Sequence, residues 1–571
     1  MKILGISCYY HDAATALIDD GQIIAAAEEE RFSRIKHDSS FPIRSVNFCL
    51  QRAGISTADI DWVVFYEKPF TKFERIILSN LTTAPFGKQM FVDGIRVWLR
   101  DKLWIKTTVA KYLKFPEDKI VFCGHHLSHA ASSYYTSSFN SAALLTCDGV
   151  GEWTTTAWGK AKNNKVIISE EIRFPHSLGL FYSTFTQFLG FQVNEGEFKV
   201  MGLAPYGQPK FLDKVEKLIQ QSTDGSFHLN LDYFNFHISD KLSFNQKFVD
   251  LFGVPPVDPQ KSDTVVQIYA DIAASVQKVL DDKLLVIVKY IKAKTGEENL
   301  CYSGGVALNG VTNWKIFKEA GFKNIFIHPA AGDSGGALGA ALYLYYHIFN
   351  RRKPRISTFL DPYLGDENTN VGIKKFLAEN SIKAIYMNDR EMNEKVAHML
   401  TKKKVIGWVK GRFEWGPRAL GARSILADPR DRKMKDLVNA KIKFREAFRP
   451  FAPVCLYGKA RDYFDVGNDY IQQPLQYMIA VVPVKKERRD NLKAITHVDG
   501  TARPQFIKRE INKNYYDVVK AFGDKTGIYV LLNTSFNLKG EPIVNTAREA
   551  YDTFMRSGID VLVLENYLIE K

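Results

Sequence analysis

Two histidines spaced for metal binding are the first chemically suggestive feature of this sequence. His125 and His129 lie four residues apart in CGHHLSHAASSYY, a spacing that places both imidazoles on one face of a predicted helix. Asp148 follows an apolar, strand-like run in LLTCDGVGEW. Two imidazole nitrogens and a carboxylate suit a borderline divalent metal such as Fe, Mn or Zn. A hydrogen-bonded pair in a core or on a surface would look the same, so the spacing alone leaves both interpretations open.

Two glycine turns further along the chain favour the metal interpretation and predict a nucleotide cleft. In LCYSGGVALNG an apolar run ends at Gly304 and Gly305, and NIFIHPAAGDSGGALGAAL repeats the strand, the glycine turn and a small-residue helix. Backbone N–H groups at such turns can bind an anion or lie close to a nucleotide. Two turns in tandem make a nucleotide cleft a better explanation than ordinary turns. Asp333, at the mouth of the second turn, is then the natural fourth metal ligand.

The strands that must position these residues form an internal repeat. Apolar runs at residues 1–7, 13–18 and 22–27 predict a three-strand meander. A similar pattern returns from about residue 144, where a strand, a glycine turn and two further strands follow one another. Two such halves facing each other across a cleft are the arrangement of the actin, hexokinase and acetate kinase superfamily. We therefore expect an α/β fold with a two-lobed N-terminal domain.

A second, basic unit is predicted after a linker at about residues 350–367, where proline, charge and broken periodicity interrupt the pattern. FEWGPRALGARSIL, KIKFREAFRPFAPV and THVDGTARPQ place arginines in loops with Gly or Pro, and guanidinium groups suit phosphate oxygens. The strand-like run YVLLNTSFN opens into polar side chains able to hydrogen-bond an acyl phosphate or a ribose. Each arginine alone is better explained as a salt-bridge or surface group, whereas three such loops in one small domain predict an anion pocket.

The composition is that of a globular protein with two to four domains. The 571 residues include 46% hydrophobic and 25% charged side chains, with a net charge of +14. No stripe of Lys and Arg interleaved with aromatic residues marks a nucleic-acid surface, so we attribute the charge to phosphate ligands rather than RNA. Six scattered cysteines without a CxxC pair predict reduced core thiols. With no long apolar run and no signal peptide, we expect a cytoplasmic protein without a membrane partner.

The motifs taken together resemble the O-carbamoyltransferases of the NodU/CmcH/TobZ family. They are GISCYYHDAATALI, EEERFSR, HHLSHAASS, TCDGVGEW, GEFKVMGLAPYG, SGGVALN, GDSGGALGA, FEWGPRALGARSIL, FRPFAPV and NTSFN, and they span essentially the whole chain. The resemblance implies an actin-like (ASKHA) domain at residues 1–350, as in tRNA threonylcarbamoyl transferases, and a YrdC-like α/β domain at residues 367–571. It implies that the second domain makes carbamoyl-adenylate and pyrophosphate from carbamoyl phosphate and ATP. The first would then transfer the carbamoyl group to an acceptor hydroxyl and release AMP.

Residue roles follow from the same resemblance. It implies that His125, His129, Asp148 and Asp333 hold the metal, which is Fe(II) by similarity. His11, at the first bend of the meander, is the expected general base, although a histidine there can also simply cap a turn. The residues expected to contact nucleotide or substrate are Asp12, Gly149, Glu197, Lys199, Gly304, Gly305, Asn309, Arg418, Arg423, Ser424, Lys443, Arg449, Arg503, Asn533, Ser535 and Asn537. Glu197 and Lys199 are as easily explained as a solvent-facing pair.

Two alternative functions fit parts of the sequence. A threonylcarbamoyl transferase acting on tRNA would share the fold and the metal, and the positive charge would favour it, but that activity usually resides in separate chains. A non-catalytic nucleotide-binding switch would share the cleft, yet would need neither the histidine pair nor the arginine-rich unit. The expected acceptor is a hydroxyl of a small molecule or glycan. Nothing in the sequence selects among such acceptors or fixes the oligomeric state.

Overall fold

The computed structural model describes residues 1–84, 86–100, 102–261, 265–354, 360–443, 446, 448–467 and 473–571. The centre of the predicted linker, residues 355–359, lies outside this part of the chain. Two compact units are present. The first comprises Met1–Ala26 and Ser39–Leu360, and the second comprises Ala27–Asp38 and Asp361–Lys571.

The first sheet of the first unit begins with the predicted meander. Its strands are β1 (Lys2–Ser7), β2 (Ala14–Asp19), β3 (Gln22–Glu28), β4 (Trp62–Phe65) and β5 (Ile120–Phe122). They are ordered β3-β2-β1-β4-β5, with β1 antiparallel to β2 and parallel to β4, and β4 parallel to β5. The β2–β3 hairpin turns at Asp20 and Gly21, both with positive φ, which is the conformation favoured in tight hairpins.

A second sheet repeats this order. Its strands are β6 (Ser141–Cys147), β7 (Thr154–Lys162), β8 (Lys165–Arg173), β11 (Asn299–Ser303) and β12 (Asn324–Ile327), and a separate hairpin contains β9 (Ile219–Gln221) and β10 (Phe227–Leu229). The order β12-β11-β6-β7-β8 again joins an antiparallel meander to two parallel strands. The repeat predicted from the sequence is therefore confirmed, and with it the α/β, actin-like class of this unit.

The helices of the first unit fill the connections between these strands. They are α2 (Ile43–Ala53), α3 (Pro69–Thr83), α4 (Lys88–Arg100), α5 (Ile105–Leu113), α6 (His125–Thr136), α7 (Leu178–Phe188), α8 (Glu197–Leu203), α9 (Leu212–Glu216), α10 (Gln246–Phe252), α11 (Gln267–Thr295), α12 (Gly310–Glu319) and α13 (Asp333–Leu342).

Close packing of α6 and α13 links the two sheets. A Cβ on Gly339 of α13 would lie 1.8 Å from the Ser128 carbonyl oxygen of α6, and one on Gly5 of β1 would lie 1.9 Å from the Ala337 carbonyl oxygen of α13. Only glycine permits such approach of two backbones. The small-residue run DSGGALGAAL therefore brings the first residues of α6 and α13, His125 and Asp333, into one region.

The second unit is built on an eight-stranded mixed sheet in the order β13-β22-β21-β14-β15-β20-β16-β19. Its strands are β13 (Ile385–Tyr386), β14 (Ile406–Val409), β15 (Arg423–Ala427), β16 (Ala452–Leu456), β19 (Gln505–Ile507), β20 (Val530–Ser535), β21 (Val561–Leu564) and β22 (Tyr567–Glu570), and β17 (Val482–Pro483) and β18 (Thr501–Ala502) form a hairpin. Its helices are α1 (Glu30–Ser33), α14 (Asn370–Glu379), α15 (Asp389–Thr401), α16 (Arg432–Val438), α17 (Ala460–Tyr463), α18 (Lys513–Thr526) and α19 (Ala547–Met555). That this sheet is YrdC-like stays a prediction.

Residues 27–38 belong to the second unit although they follow the first meander in sequence. Arg31 is 1% exposed and donates to the carbonyls of Glu414 and Gly416, and Arg34 donates to those of Pro542 and Ile543. These partners lie more than 380 residues away in sequence, so no local pattern in the sequence could have indicated the contacts.

All six cysteines lie in the described part of the chain, are buried and form no disulfide with one another, which confirms the prediction of reduced core thiols. Within the described ranges, no helix combines the length and apolarity needed to cross a bilayer.

Candidate functional site

Helix α6 presents the predicted histidine pair on one face. His126, between them in the motif, is buried against the second sheet: its Nε2–H donates to the Thr154 carbonyl, and its Nδ1 lies 2.7 Å from Thr146 Oγ1. These bonds fix the rotation of α6, so that His125 and His129 turn together toward Asp148. The main-chain N–H of His125 donates to the Glu152 carboxylate at 3.0 Å and 3.2 Å, which caps the N-terminus of the helix.

The four predicted ligands converge on one point. His125 Nε2 and His129 Nε2 are 3.2 Å apart, and they lie 3.0 Å and 3.2 Å from Asp148 Oδ2. Asp333 Oδ1 completes the group at 3.7 Å from His125 Nε2 and 3.5 Å from His129 Nε2. One ligand atom from each residue lies within 4.8 Å of all the others. We call these four residues the ligand cluster.

The convergence and burial of the cluster fit a metal ion. Both histidines and Asp333 are at most 2% exposed. The atoms that face one another are His125 Nε2, His129 Nε2, Asp148 Oδ2 and Asp333 Oδ1, so each residue turns one lone-pair-bearing atom toward a common point. Two imidazole nitrogens and two carboxylates form a donor set that borderline divalent metals prefer. The residues present therefore suit such an ion.

The charged residues of the cluster shift one another's pKa values. Burial alone would lower the pKa of His129, but its contacts with Asp148 and Asp333 raise that pKa to about 9. Burial would raise the pKa of Asp148, but its hydrogen bonds with His125 and His129 hold it well below its usual range. The cluster thus carries positive and negative charge that a bound cation would rearrange.

His11 lies at the bend after β1, as predicted. Its Nδ1 is 3.0 Å from Asp12 Oδ2, and Asp12 has a positive φ of 53°. Burial alone would lower the pKa of His11, yet the bond to Asp12 and the charges of Asp333 and Asp148 raise it to about 10. The imidazole is therefore cationic at neutral pH as long as those carboxylates keep their full charge.

A layer of charged residues that the sequence analysis missed surrounds the cluster. Lys72 donates to Glu67 Oε2 at 2.6 Å, and that oxygen lies 4.0 Å from His125 Nδ1. Arg75 donates to the Gly151 carbonyl at 3.0 Å. Glu67 could have been predicted from the sequence, because it follows the carboxyl end of the apolar strand β4, where parallel α/β sheets carry functional residues. No sequence pattern indicates that Lys72 and Arg75 of α3 lie near the cluster.

The glycine turns hold the cluster in place. A Cβ on Gly304 would lie 2.2 Å from the Cys147 carbonyl oxygen, and the Gly305 N–H donates to Asp148 Oδ1 at 3.1 Å. The Gly149 carbonyl accepts from Ser177 Oγ at 2.7 Å. These turns thus orient Asp148 within the chain itself.

The remaining predicted residues of the first unit make contacts of their own. Asn309 caps α12 by accepting from the Thr312 N–H. Glu197 accepts from Ser183 Oγ and from the Asn194 N–H. The Lys199 ammonium lies 5.5 Å from the centre of the Phe191 ring.

In the second unit, a buried lysine draws several predicted residues together. Lys443 Nζ donates to the main-chain and side-chain oxygens of Ser535, at 2.5 Å and 3.1 Å, and to those of Asn537, at 3.0 Å and 2.8 Å. Ser535 pairs in register with Ser424 across strands β15 and β20. Asn533 of β20 donates to the Ala419 carbonyl at 3.0 Å.

The predicted arginines of this unit differ sharply in their surroundings. Arg423 is completely buried and donates to the carbonyls of Asn545, Gly411, Ala422 and Asp366. Arg418 forms no hydrogen bond or ion pair with the residues that the structure describes, and burial together with the nearby Arg449 lowers its pKa to about 10.

Arg449 pairs with Glu446 at 3.2 Å, and Arg503 is half-buried. Among the described residues, the half-buried Arg418 is thus a guanidinium to which the structure gives no hydrogen bond or ion pair.

Comparison with known proteins covers both units. The family model for the carbamoyltransferase N-terminus matches residues 2–342, and the one for the carbamoyltransferase C-terminus matches residues 397–571. An uncharacterised protein of Synechocystis, sll1178, is 45% identical over all of this chain and 96% of its own length. Nodulation protein NolNO of Sinorhizobium fredii is 36% identical over 99% of this chain and 79% of its own. Component A of the (R)-2-hydroxyglutaryl-CoA dehydratase of Acidaminococcus fermentans aligns with 60% of this chain and 98% of its own, with a TM-score of 0.34 and 15% identity.

Proposed function

The chain belongs to the carbamoyltransferase family, and from that premise we propose that it is an ATP-dependent O-carbamoyltransferase. The second unit hydrolyses carbamoyl phosphate to carbamate and orthophosphate, and the carbamate oxygen then attacks the α-phosphate of ATP to give carbamoyl-adenylate and pyrophosphate. The first unit transfers the carbamoyl group to a hydroxyl of a small-molecule or glycan acceptor, and AMP leaves. The observation that carries this proposal is the ligand cluster, in which ligand atoms of three buried residues and of the half-buried Asp148 lie within 4.8 Å of one another.

In the first unit, His125, His129, Asp148 and Asp333 would hold a divalent cation, Fe(II) in this proposal. That ion would supply Lewis-acid polarisation of the mixed anhydride and positive charge that lowers the pKa of His11, which Asp148 and Asp333 raise. Asp12 accepts the Nδ1–H of His11 and so fixes its tautomer. The Nε2 of His11, in its neutral form, then accepts the proton of the acceptor hydroxyl.

In the second unit, Arg418, Arg449 and Arg503 neutralise the reacting phosphates. Lys443, Ser535 and Asn537 form a polar group that orients the carbamoyl end, with Asn533 and Ser424 behind it. Arg423 is left out of this set because its N–H groups are already bonded to four main-chain carbonyls. Gly149, Gly304 and Gly305 act by holding Asp148.

The test is a pyrophosphate assay with ATP and carbamoyl phosphate but no acceptor, on the protein reconstituted anaerobically with Fe(II). We expect pyrophosphate and carbamoyl-adenylate from the wild type. Arg418→Ala should reduce both at least a hundredfold, because a phosphate-facing cation is lost. His125→Ala should leave them unchanged. Arg509→Ala is the matched control, since Arg509 is exposed and pairs only with Asp517.

Two outcomes would reject the proposal. Pyrophosphate with threonine and bicarbonate, but not with carbamoyl phosphate, would indicate a threonylcarbamoyl transferase. No pyrophosphate with either substrate pair would indicate a nucleotide-binding protein without adenylation activity.

A further inference from the structure

Helix α3 carries its polar residues inward and its apolar residues outward. The residues buried on it include Lys72, Arg75 and Asn80. The exposed stripe, by contrast, contains Phe70 and Leu81, which are 68% and 62% exposed, together with Leu78. A surface helix of a globular protein normally shows the opposite arrangement.

The buried polar face of α3 is explained by the partners of its two cations. Lys72 bonds to Glu67 and Arg75 to the Gly151 carbonyl, so this face of α3 serves the surroundings of the ligand cluster. The outward stripe has no such partner in the part of the chain that the structure describes. Burying these apolar side chains against another body would release water and be favourable.

The helices packed on α3 continue the apolar surface. Phe73 of α3 and Trp98 of α4 hold the layer together, with ring centres 5.9 Å apart. Leu99 and Trp104 are 52% and 56% exposed, and Phe86, in the connection between α3 and α4, is 69% exposed. The Trp104 indole N–H donates to the Leu99 carbonyl, so an apolar ring face remains outward. We call residues 69–113 the α3–α5 layer.

The charge of this layer is strongly positive. Residues 68–114 contain ten Lys or Arg against three Asp or Glu. Among the described side chains at its surface, Lys68, Arg96, Lys111 and Lys114 are exposed cations, and Glu74 is an exposed anion. Exposed Phe, Leu and Trp beside Lys and Arg are the composition of helices that lie in the interface of a bilayer.

We propose that the α3–α5 layer docks on the surface of an anionic lipid bilayer. The apolar side chains enter the headgroup region, and the cations contact lipid phosphates or carboxylates. A second copy of the chain is the poorer occupant, because two layers of the same positive charge would repel each other. Nucleic acid could stack on the rings of Phe70, Phe86 and Trp104, but it would leave the aliphatic Leu78, Leu81 and Leu99 in water, whereas a bilayer buries both kinds of side chain.

The sequence predicted no membrane partner, and this proposal differs from that prediction. The prediction was based on the absence of an apolar run long enough to span a bilayer, but a protein that only lies on the bilayer surface needs no such run.

The test is co-sedimentation of the full chain with vesicles, which needs no catalysis and so succeeds or fails independently of the proposed reaction. Vesicles of phosphatidylcholine are compared with vesicles containing a third phosphatidylglycerol. We expect binding to the anionic vesicles, weakened at least tenfold in 0.5 M salt because surface charges are screened.

Two triple variants distinguish binding through the α3–α5 layer from nonspecific binding through any exposed apolar side chain. Phe70→Ser with Leu78→Ser and Leu81→Ser should weaken binding at least tenfold. The control, Val371→Ser with Ile385→Ser and Met555→Ser, removes comparably exposed apolar side chains of the second unit and should leave binding unchanged. Circular dichroism and the melting temperature check that both variants fold.

Three results would overturn the proposal: no sedimentation of the wild type with anionic vesicles, equal loss in both variants, or a concentration-dependent dimer abolished by the layer variant.

Discussion

The ligand cluster of the first unit and the basic loops of the second unit were predicted by the same kind of argument, but their bonding differs. In the cluster, the Nε2 atoms of His125 and His129 and the oxygens of Asp148 and Asp333 that face them have, within the described residues, only one another as partners. In the loops, Arg423 and Lys443 donate to four oxygens each, all from the chain itself. The ligand cluster can therefore still bind a ligand through these atoms, whereas Arg423 and Lys443 of the basic loops already use their donors within the chain.

The difference teaches how to separate ligand-binding residues from structural ones of the same type. Four ligand atoms that crowd on one point cannot all satisfy one another by hydrogen bonds, so such a cluster suits an ion that is added later. A guanidinium that is bonded to carbonyls on all sides already holds loops together. By this criterion Arg418 is a better candidate for anion binding than Arg423.

The largest effect is expected at the cluster. Asp333→Asn should lower metal affinity by more than about a hundredfold and abolish carbamoyl transfer, because it removes one charged ligand from a buried site. Metal content after dialysis, measured by mass spectrometry, checks this. The control is Asp281→Asn, at a buried carboxyl that bonds Gln277 and Thr312. Equal metal loss in both variants would show that the cluster is not a metal site.

The next largest effect tests the difference between Arg423 and Arg418 in the basic loops. Arg423→Ala should lower the free energy of unfolding by about 3 kcal/mol, since buried carbonyls lose their donors. Arg418→Ala should leave the free energy of unfolding within about 0.5 kcal/mol of wild type, because no chain partner is lost. Urea denaturation of the two variants measures both values. If Arg418→Ala is the more destabilising substitution, the criterion fails.

The smallest effect concerns a titration in the second unit. Burial raises the pKa of Glu28 to about 7, only partly offset by Arg31. Between the unfolded value and pH 7 the native state therefore binds more protons than the unfolded state. The free energy of unfolding should fall by about 1.4 kcal/mol per pH unit over that range, as far as Glu28 contributes. Glu28→Gln should remove this slope, which urea titrations at pH 5, 6 and 7 would reveal.

A flat difference between wild type and Glu28→Gln across that range would show that the carboxyl ionises normally. Asp361→Asn is a suitable comparison, because its pKa is also raised by burial but it lies outside residues 27–38.

The parts of the fold and site that the sequence predicts are those encoded by local pattern. Alternation and turn residues gave β1 to β3 and β6 to β8, and a four-residue spacing gave His125 and His129. Asp333 followed from a strand, a glycine turn and a small-residue helix. Each of these signals lies within about twenty residues of the feature it predicts.

The parts that could not be predicted depend on distant contacts. The structural role of Arg423 depends on the Asn545 carbonyl, 122 residues away. Nothing in the sequence of α3 says that Lys72 and Arg75 point inward, because a helix's hydrophobic periodicity assumes that its apolar side is the buried one. The raised pKa of His11 likewise requires Asp148 and Asp333 to be near it in space.

The placement of residues 27–38 has a consequence for how such a protein can be divided or can have arisen. A fragment starting at residue 361 would lack the strand end and short helix that supply Arg31, whose side chain is buried against Glu414 and Gly416. A single cut in the gene between the units therefore yields a C-terminal fragment that lacks residues 27–38, including the buried side chain of Arg31. For the same reason, joining two self-sufficient genes end to end does not reproduce this chain. An ancestral fusion would have needed a later exchange of a segment near its start.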